Sequence, residues 1–277
     1  MLRTILIGLD ESASGNCAVE LGIRWAKRYD ALLAAIAIVD EPTIRRPEPV
    51  PIGGGAFKVD RDTTLLEDAH NRVDKMLSRF VQRCTEQQVR HETVKEIGEP
   101  GLRILERSKV HDLIIVGQQA NFHFETQDQE DETIGLLMRE SSRPVVTTPE
   151  TLTDSSLAVV AYNGSPQADR ALQAFVTLGL AAEYEIQVLT ADTDGSAAGS
   201  LARQAVEYFK LHDITAHVYP SAPAGSVSAA IVQAVQELRA GLLVMGACGG
   251  SWLREKLLGS TTAEVVAASP VPVFLTH

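Results

Sequence analysis

The chain has 277 residues, of which 45% are hydrophobic and 22% are charged, and its formal net charge is −11 at pH 7. This length and composition are typical of a folded protein with one large domain or two of ordinary size, and the acidic balance argues against binding to a nucleic acid backbone. No run of about 18 uninterrupted apolar residues occurs in the sequence, so we expect no membrane-spanning helix and no membrane partner.

Short apolar runs alternate with segments of helical periodicity along the first half of the chain. The predicted strands cover residues 4–9, 32–39, 89–97, 113–117 and 144–148. This alternation is typical of parallel strands that helices bury on both faces. Ser12 and Ser14 follow the first strand and can cap the helix that comes next.

The segment 42–61 interrupts this pattern with four prolines and three consecutive glycines. No packed element fits that composition, so we interpret the segment as a mobile surface loop. A long helix is predicted from Asp62. Its buried stripe is predicted to comprise Leu65, Leu66, Ala69, Val73, Met76, Leu77, Phe80 and Val81.

The same order of elements returns after a polar segment at 149–156. The second set of predicted strands covers residues 157–162, 186–191, 214–220, 242–246 and 271–275. The sequence therefore predicts an α/β fold of two repeated doubly wound, Rossmann-like domains, residues 1–149 and 156–277. Each is expected to be a five-stranded parallel sheet with helices on both faces. The ligand crevice of such a sheet lies beyond the carboxyl ends of the strands.

A glycine-rich segment follows the fourth predicted strand of the second half. Gly246, Gly249 and Gly259 stand before Ser260 with the spacing G-x2-G-x9-G-S. Glycine lets backbone N–H groups approach a charged ligand, and the start of a helix adds further N–H donors. The segment therefore predicts an anion site, most simply for a phosphate. Lys256 is not next to the serine, so the segment is not a Walker A loop, and the alternative is that the glycines only end a strand and cap a helix.

Both halves resemble domains of the universal stress protein family over nearly the whole chain. The resemblance is carried by ILIGLDES and AVVAYNGSP, IAIVDE, LIIVG and LLVMG, and RPVVTTP and SPVPVFLT. It implies a tandem member of that family, whose ATP-binding members hold the nucleotide at the crevice described above. Final strands in this family pair across a dimer. The resemblance thus implies an intramolecular pseudo-dimer, with a homodimer as a further alternative.

The resemblance also implies which residues of the C-terminal half bind ATP, with Mg²⁺ left open as a companion ion. These residues are Ala161, Tyr162, Asn163, Ala191, Met245, Gly246, Ala247, Gly249, Gly259, Ser260, Thr261 and Thr262. Ala191 matches the residue beside the adenine. Asn163 stands where family members usually carry Asp, which removes a charge, and the alternative for Asn163 is a turn-forming role in Asn-Gly.

The N-terminal half departs from the pattern at the phosphate loop. Ala120 occupies the position of the second glycine, while Asp131 and Glu132 stand where Gly259 and Ser260 stand in the other half. Carboxylates that face a triphosphate in a poorly screened cleft repel it, so we expect no nucleotide in this half.

We therefore expect a cytoplasmic stress-response or signalling protein that binds ATP or a related adenine nucleotide in its C-terminal domain. The glycine-rich segment offers no clear carboxylate base, so catalysis is expected to be absent or slow. Two alternatives stay open: an ATPase or phosphotransferase that uses the same cleft, and a dimerisation or adaptor module whose nucleotide is incidental. Three isolated cysteines favour a reducing compartment without a metal cluster, and His123 is predicted to pack a loop and not to bind a metal.

Overall fold

Strands and helices alternate along the described part of the computed structural model, which comprises residues 1–49, 51, 54–123, 131–190, 195–220, 225–247 and 260–277. The strands are β1 (Thr4–Gly8), β2 (Leu32–Val39), β3 (His91–Ile97), β4 (Leu113–Gly117), β5 (Val145–Thr148), β6 (Leu157–Ala161), β7 (Glu185–Leu189), β8 (Ala216–Tyr219), β9 (Leu242–Gly246) and β10 (Val273–Thr276). The helices are α1 (Ala13–Tyr29), α2 (Glu41–Ile44), α3 (Gly55–Glu86), α4 (Pro100–Ser108), α5 (Thr133–Glu140), α6 (Pro166–Thr177), α7 (Gly195–Leu211), α8 (Val227–Glu237) and α9 (Ser260–Ala268), with a 3₁₀ helix at Leu180–Glu183.

The strands of the described chain form a single ten-stranded sheet in the order β3-β2-β1-β4-β5-β10-β9-β6-β7-β8. Neighbouring strands within each half are parallel, and the order in the first half is repeated in the second. The predicted fold class, an α/β fold of two repeated doubly wound halves, is confirmed. Neither half has a separate sheet, however, because β5 and β10 join the two sets of strands.

β5 and β10 run antiparallel, with Val146 opposite Phe274. Both side chains are fully buried, and the ring centroids of Phe274 and of Phe175 on α6 are 5.7 Å apart. This is the strand pairing that the pseudo-dimer prediction requires. The association of separately produced halves stays a prediction, as do the domain boundaries, which fall between β5 and β6.

Helices cover both faces of the sheet, and the buried side chains on the two faces are organised differently. On the face of α1, α3, α6 and α7, one apolar cluster runs through both halves and includes Phe80, Phe175 and Phe209. On the other face there are two clusters, one around Ile104 on α4 and one around Ile231 on α8, and the second also includes Met138 of α5. The crevice of the second half opens beside this face, next to α8.

The prediction of a mobile loop over residues 42–61 is wrong at both ends of the segment. Helix α2 covers Glu41–Ile44, and α3 begins at Gly55 and not at Asp62. Lys58 contacts the carboxylate of Asp62 one turn further on, a spacing that stabilises the first turns of α3, and Arg61 contacts the same carboxylate. Glycine disfavours a helix because of its backbone freedom, and of the three consecutive glycines only Gly55 lies within α3.

The predicted buried stripe of α3 is largely confirmed, and its last position is wrong. Val81 is 37% exposed, whereas Cys84 is fully buried and continues the stripe one turn after Phe80. No helix in the described chain is long and apolar enough to cross a membrane.

Candidate functional site

A small pocket lies at the carboxyl ends of three strands in the C-terminal half. Its walls comprise Ala161, Tyr162, Asn163, Leu189, Val227, Ile231, Met245, Gly246 and Thr261. These residues come from the ends of β6, β7 and β9, from the first two turns of α8 and from the first turn of α9. Six of them belong to the predicted nucleotide site, so the fold brings together the residues that follow the first and fourth strands of this half.

Three apolar wall residues are absent from the sequence prediction: Leu189, Val227 and Ile231. Val227 and Ile231 stand four positions apart on α8, so their side chains lie one above the other on one face of the helix. Apolar residues at this spacing are typical of one face of any amphipathic helix, and only the position of α8 beside the crevice makes these two pocket residues. Together with Met245 they give the pocket an apolar wall that suits a flat, weakly polar ring.

The side chains of Tyr162 and Asn163 are engaged within the protein. The Tyr162 hydroxyl donates to Asp169 Oδ1 at 2.6 Å, and burial first, then this bond, raises the pKa of Tyr162 to about 12. Asn163 Oδ1 accepts from the N–H of Ser165 at 3.1 Å. The turn-forming role of Asn163 is thereby confirmed, and its role toward a ligand stays a prediction.

Gly246 has a structural reason for being glycine that is independent of any ligand. A Cβ at this position would lie 2.6 Å from the backbone N of Ala168 and from the backbone C of Gln167, both in the first turn of α6. Gly117 is in the same situation, since a Cβ there would lie 2.6 Å from the backbone N of Gly15 on α1. Both glycines let a helix N-terminus approach the end of a strand.

The other predicted site residues differ in how far the structure describes them. Ala247 and Thr262 are buried, and the Ala247 N–H donates to the carbonyl of Thr276 at 2.7 Å. Helix α9 begins at Ser260 and presents its first turn, with Thr261, to the pocket. This is the arrangement that an anion site at a helix N-terminus requires. Ala191, Gly249 and Gly259 lie outside the described residues.

The corresponding position in the N-terminal half is filled by the chain itself. Phe122 is 1% exposed and packs among Gly8, Ile104 and Val116. A Cβ on Gly8 would lie 3.1 Å from Phe122 Cζ. This contact could not be predicted from the sequence, because Phe122 lies in a polar loop that has no hydrophobic periodicity.

Asp131, which we expected to face and repel a phosphate, binds backbone N–H groups of its own loop. Its Oδ2 accepts from Phe122 at 2.6 Å and its Oδ1 accepts from Thr133 at 2.8 Å. The carboxylate therefore caps the start of α5 and holds the backbone of Phe122 in place.

His123 packs the same loop against the end of β2, as the sequence analysis predicts. Its Nδ1 lies 2.5 Å from Asp40 Oδ2, and its Nε2 lies 3.8 Å from Asp131 Oδ1. The hydrogen bond to Asp40 raises the pKa of His123, and burial opposes it. The described ranges contain no group of three or more His, Cys, Asp or Glu side chains that could hold a metal ion.

Comparisons with known proteins find similarity to the universal stress protein family. A family model described as the universal stress protein family matches residues 158–277. A universal stress protein from Synechocystis sp. is 25% identical over 163 residues, which are 59% of this chain and 57% of that protein. The matched region therefore spans little more than half the length of that relative.

Two solved structures share the fold over both halves of the chain. A universal stress protein from Archaeoglobus fulgidus DSM 4304 is 20% identical, with a TM-score of 0.73, and the match covers 99% of this chain and 97% of that one. A functionally unknown protein from Pseudomonas aeruginosa PAO1 is 15% identical, with a TM-score of 0.61 and coverages of 99% and 92%. The tandem arrangement of halves is thus also that of solved structures.

Proposed function

We propose, from the premise that residues 158–277 belong to the universal stress protein family, that this half binds ATP or a related adenine nucleotide. The family is a stress-response class. In this proposal the protein is a cytoplasmic signalling component whose nucleotide is bound and is hydrolysed slowly or not at all. Mg²⁺ would accompany the phosphates.

The observation that carries the proposal is the pocket itself. Its apolar wall, with Val227, Ile231 and Met245, suits an adenine ring, and the first turn of α9 lies beside it. Burial of roughly 100 Å² of ring surface contributes about 2.5 kcal/mol, or less than a hundredfold in affinity. The phosphates therefore have to supply the rest, through the helix terminus and the glycine-rich segment.

The chemistry of the pocket wall supports binding more than catalysis. None of the wall residues that the structure describes is an Asp or Glu, so this part of the site offers no general base and no carboxylate ligand for Mg²⁺. Contacts that stabilise bound ATP without favouring a transition state do not accelerate hydrolysis. The nucleotide would then act by favouring one conformation that a partner recognises.

Titration calorimetry with ATP and Mg²⁺ tests the proposal. We expect a stoichiometry near one nucleotide per chain. Ala161→Leu places a larger side chain in the pocket wall and should weaken binding by roughly 10- to 100-fold, since it displaces the ring. Ala182→Leu is the matched control, because Ala182 is exposed on the 3₁₀ helix and lies outside the pocket wall.

Two further measurements decide between the proposal and its alternatives. Gly259→Asp combined with Ser260→Glu copies the acidic residues of the N-terminal half and should abolish binding. Steady-state phosphate release should stay well below ~1 s⁻¹, the lower end of the range of kinases. A stoichiometry near two, unchanged affinity of the Ala161→Leu protein, or fast turnover that the double variant abolishes would contradict this function.

A further inference from the structure

We propose that the cleft of the N-terminal half is occupied by groups of the chain itself. The ring of Phe122 fills the position that a flat ligand ring would take, and the carboxylates of Asp10 and Asp131 bind N–H donors that an anion would need. This half is then closed to nucleotide by its own side chains. The inference concerns the N-terminal half and does not require the C-terminal pocket to bind a nucleotide.

The position of Phe122 follows from the internal repeat. Gly8 is the last residue of β1, as Ala161 is the last residue of β6. Val116 precedes Gly117 on β4 as Met245 precedes Gly246 on β9, and Ile104 and Ile231 are the fifth residues of α4 and α8.

The three N-terminal residues of this comparison converge on one point. A Cβ on Gly8 would lie 3.1 Å from Phe122 Cζ, 3.1 Å from Val116 Cγ1 and 3.2 Å from Ile104 Cδ1. Their counterparts Ala161, Met245 and Ile231 line the C-terminal pocket. The Phe122 ring therefore lies where that pocket lies in the other half.

Every backbone N–H from residue 118 to residue 123 has an acceptor inside the protein. The N–H groups of Gln118, Gln119 and Ala120 donate to Thr148 O at 2.8 Å, to Ser14 Oγ at 3.1 Å and to Gly117 O at 3.3 Å, respectively. Those of Asn121, Phe122 and His123 donate to Asp10 Oδ2 at 3.2 Å, to Asp131 Oδ2 at 2.6 Å and to Asn121 Oδ1 at 2.9 Å. A loop binds phosphate through N–H groups that have no other partner. This loop has none to offer over residues 118–123, and two of its acceptors are carboxylates, the charged groups most similar to a phosphate.

Side-chain contacts hold the segment in this position. His123 bridges from the loop to Asp40 at the end of β2, and Asp40 also accepts from the N–H of Thr43 at 3.2 Å. Asp10 accepts from Ser12 at 3.2 Å in addition to Asn121. The ends of β1, β2 and β4 are thus joined through one loop, and withdrawal of Phe122 would break contacts with all three.

The chemistry of the cleft predicts what it would accept if Phe122 were shortened. The lining that remains is apolar, with Ile104, Val116 and Ile38 in the same cluster. An apolar cavity of this kind takes a neutral ring such as benzene or indole. Asp10 and Asp131 beside it would repel a phosphate.

Thermal unfolding of the full chain tests the position of the ring. Phe122→Ala should lower the Tm by roughly 10 °C, and saturating indole should raise the Tm of this variant by a few degrees. The wild-type protein with indole is the control, since it reports any effect of indole at the C-terminal pocket. Equal shifts in both proteins would overturn the proposal.

A double-mutant cycle provides a second test that does not depend on the Phe122→Ala protein being folded. Gly8→Ala adds a methyl group against Phe122 Cζ and should lower the Tm of the wild-type protein. In a Phe122→Leu background the same change should lower the Tm by less, because the contact with the Phe122 ring is removed while those with Val116 and Ile104 remain. Equal decreases in the two backgrounds would mean that Phe122 does not lie on Gly8.

Amide hydrogen exchange tests the role of the carboxylates. The amides of residues 118–123 should exchange slowly although they lie in a loop, and Asp131→Ala should accelerate the exchange of Phe122 at least tenfold relative to Gln118. Fast exchange of the whole segment in the wild-type protein, or no change at Phe122 in the variant, would contradict the proposal.

Discussion

His123 lies between the carboxylates of Asp40 and Asp131, and its contact with Asp40 connects the loop at residues 118–123 to the end of β2. The hydrogen bond to Asp40 raises the pKa of His123, and the charges of Asp131, Asp40 and Glu99 add to the effect. A histidine whose folded-state pKa is raised contributes stability that is fully present below its unfolded pKa near 6.5. That contribution is lost as the pH rises through the folded-state pKa.

We expect His123→Gln to lower the free energy of unfolding by about 1–3 kcal/mol at pH 6 and by clearly less at pH 9. Urea denaturation at the two pH values measures this difference. His217→Gln is the matched control, because His217 is exposed on β8 and should have no effect at either pH. If the His123→Gln protein loses the same free energy at pH 6 and pH 9, the charge on His123 is not what stabilises the loop.

The residues of the candidate site were predictable from the sequence where the local pattern of strands and turns alone fixes their position. The positions after β6 and β9 follow from the strand pattern, and they meet in the pocket. Gly246 shows the limit of such reasoning, since packing against α6 alone requires a glycine there. Phe122 shows another limit. Its contact with Gly8 joins residues more than a hundred positions apart, and only the sheet topology brings them together.

At the scale of elements, the order of strands and helices was predictable because buried parallel strands and amphipathic helices have different periods. The start of α3 was not predictable, because the nearby prolines and glycines indicated a loop where the first seven residues of the helix lie. Those residues carry little apolar periodicity, and Phe57 and Val59 are exposed. Ion pairs stabilise this part of α3, and composition does not reveal them.

We expect Asp62→Asn to loosen the first two turns of α3. Lys58 is the main cause of the lowered pKa of Asp62, and Arg61 adds to it. A carboxylate with a lowered folded-state pKa contributes stability above its unfolded pKa and loses it as the pH falls through the folded-state value. Amide exchange of residues 57–62 should therefore accelerate at pH 7, and the difference from the wild-type protein should shrink in acid.

Asp68→Asn is the matched control for this prediction, because Asp68 is exposed on the same helix. It should leave the exchange of residues 57–62 unchanged. Equal acceleration in both variants would mean that general charge on α3, and not the contacts of Asp62, stabilises its first turns.

At the scale of the whole molecule, the pairing of β5 with β10 makes the two halves one structural unit. Phe274→Ala should lower the free energy of unfolding by about 3–5 kcal/mol, because Phe274 is fully buried at this junction. We expect the loss to reach the N-terminal half. Trp25 on α1 belongs to that half and is hydrogen-bonded to Tyr184 of the other, so its fluorescence reports on the contact between the halves. Trp252→Phe in the background makes Trp25 the sole tryptophan of the chain.

Trp25 fluorescence during urea denaturation measures the effect. Phe209→Ala is the matched control, since Phe209 is equally buried in the same half but lies on α7, which packs on β7 and β8 at the far edge of the sheet. The Trp25 transition should shift more in Phe274→Ala than in Phe209→Ala. If Phe274→Ala leaves the midpoint of the Trp25 transition unchanged, the halves unfold independently.

The joining of two repeats in one chain has a further consequence for how such a protein can evolve. In a symmetric dimer of identical chains a single gene encodes both clefts, so a mutation that placed a phenylalanine over one strand end would place it over the other as well. In this chain the residues at the two strand ends, Gly8 and Ala161, are encoded by separate codons. Selection can therefore close one cleft and leave its neighbour open, and because both halves belong to one polypeptide, every molecule contains them in a one-to-one ratio.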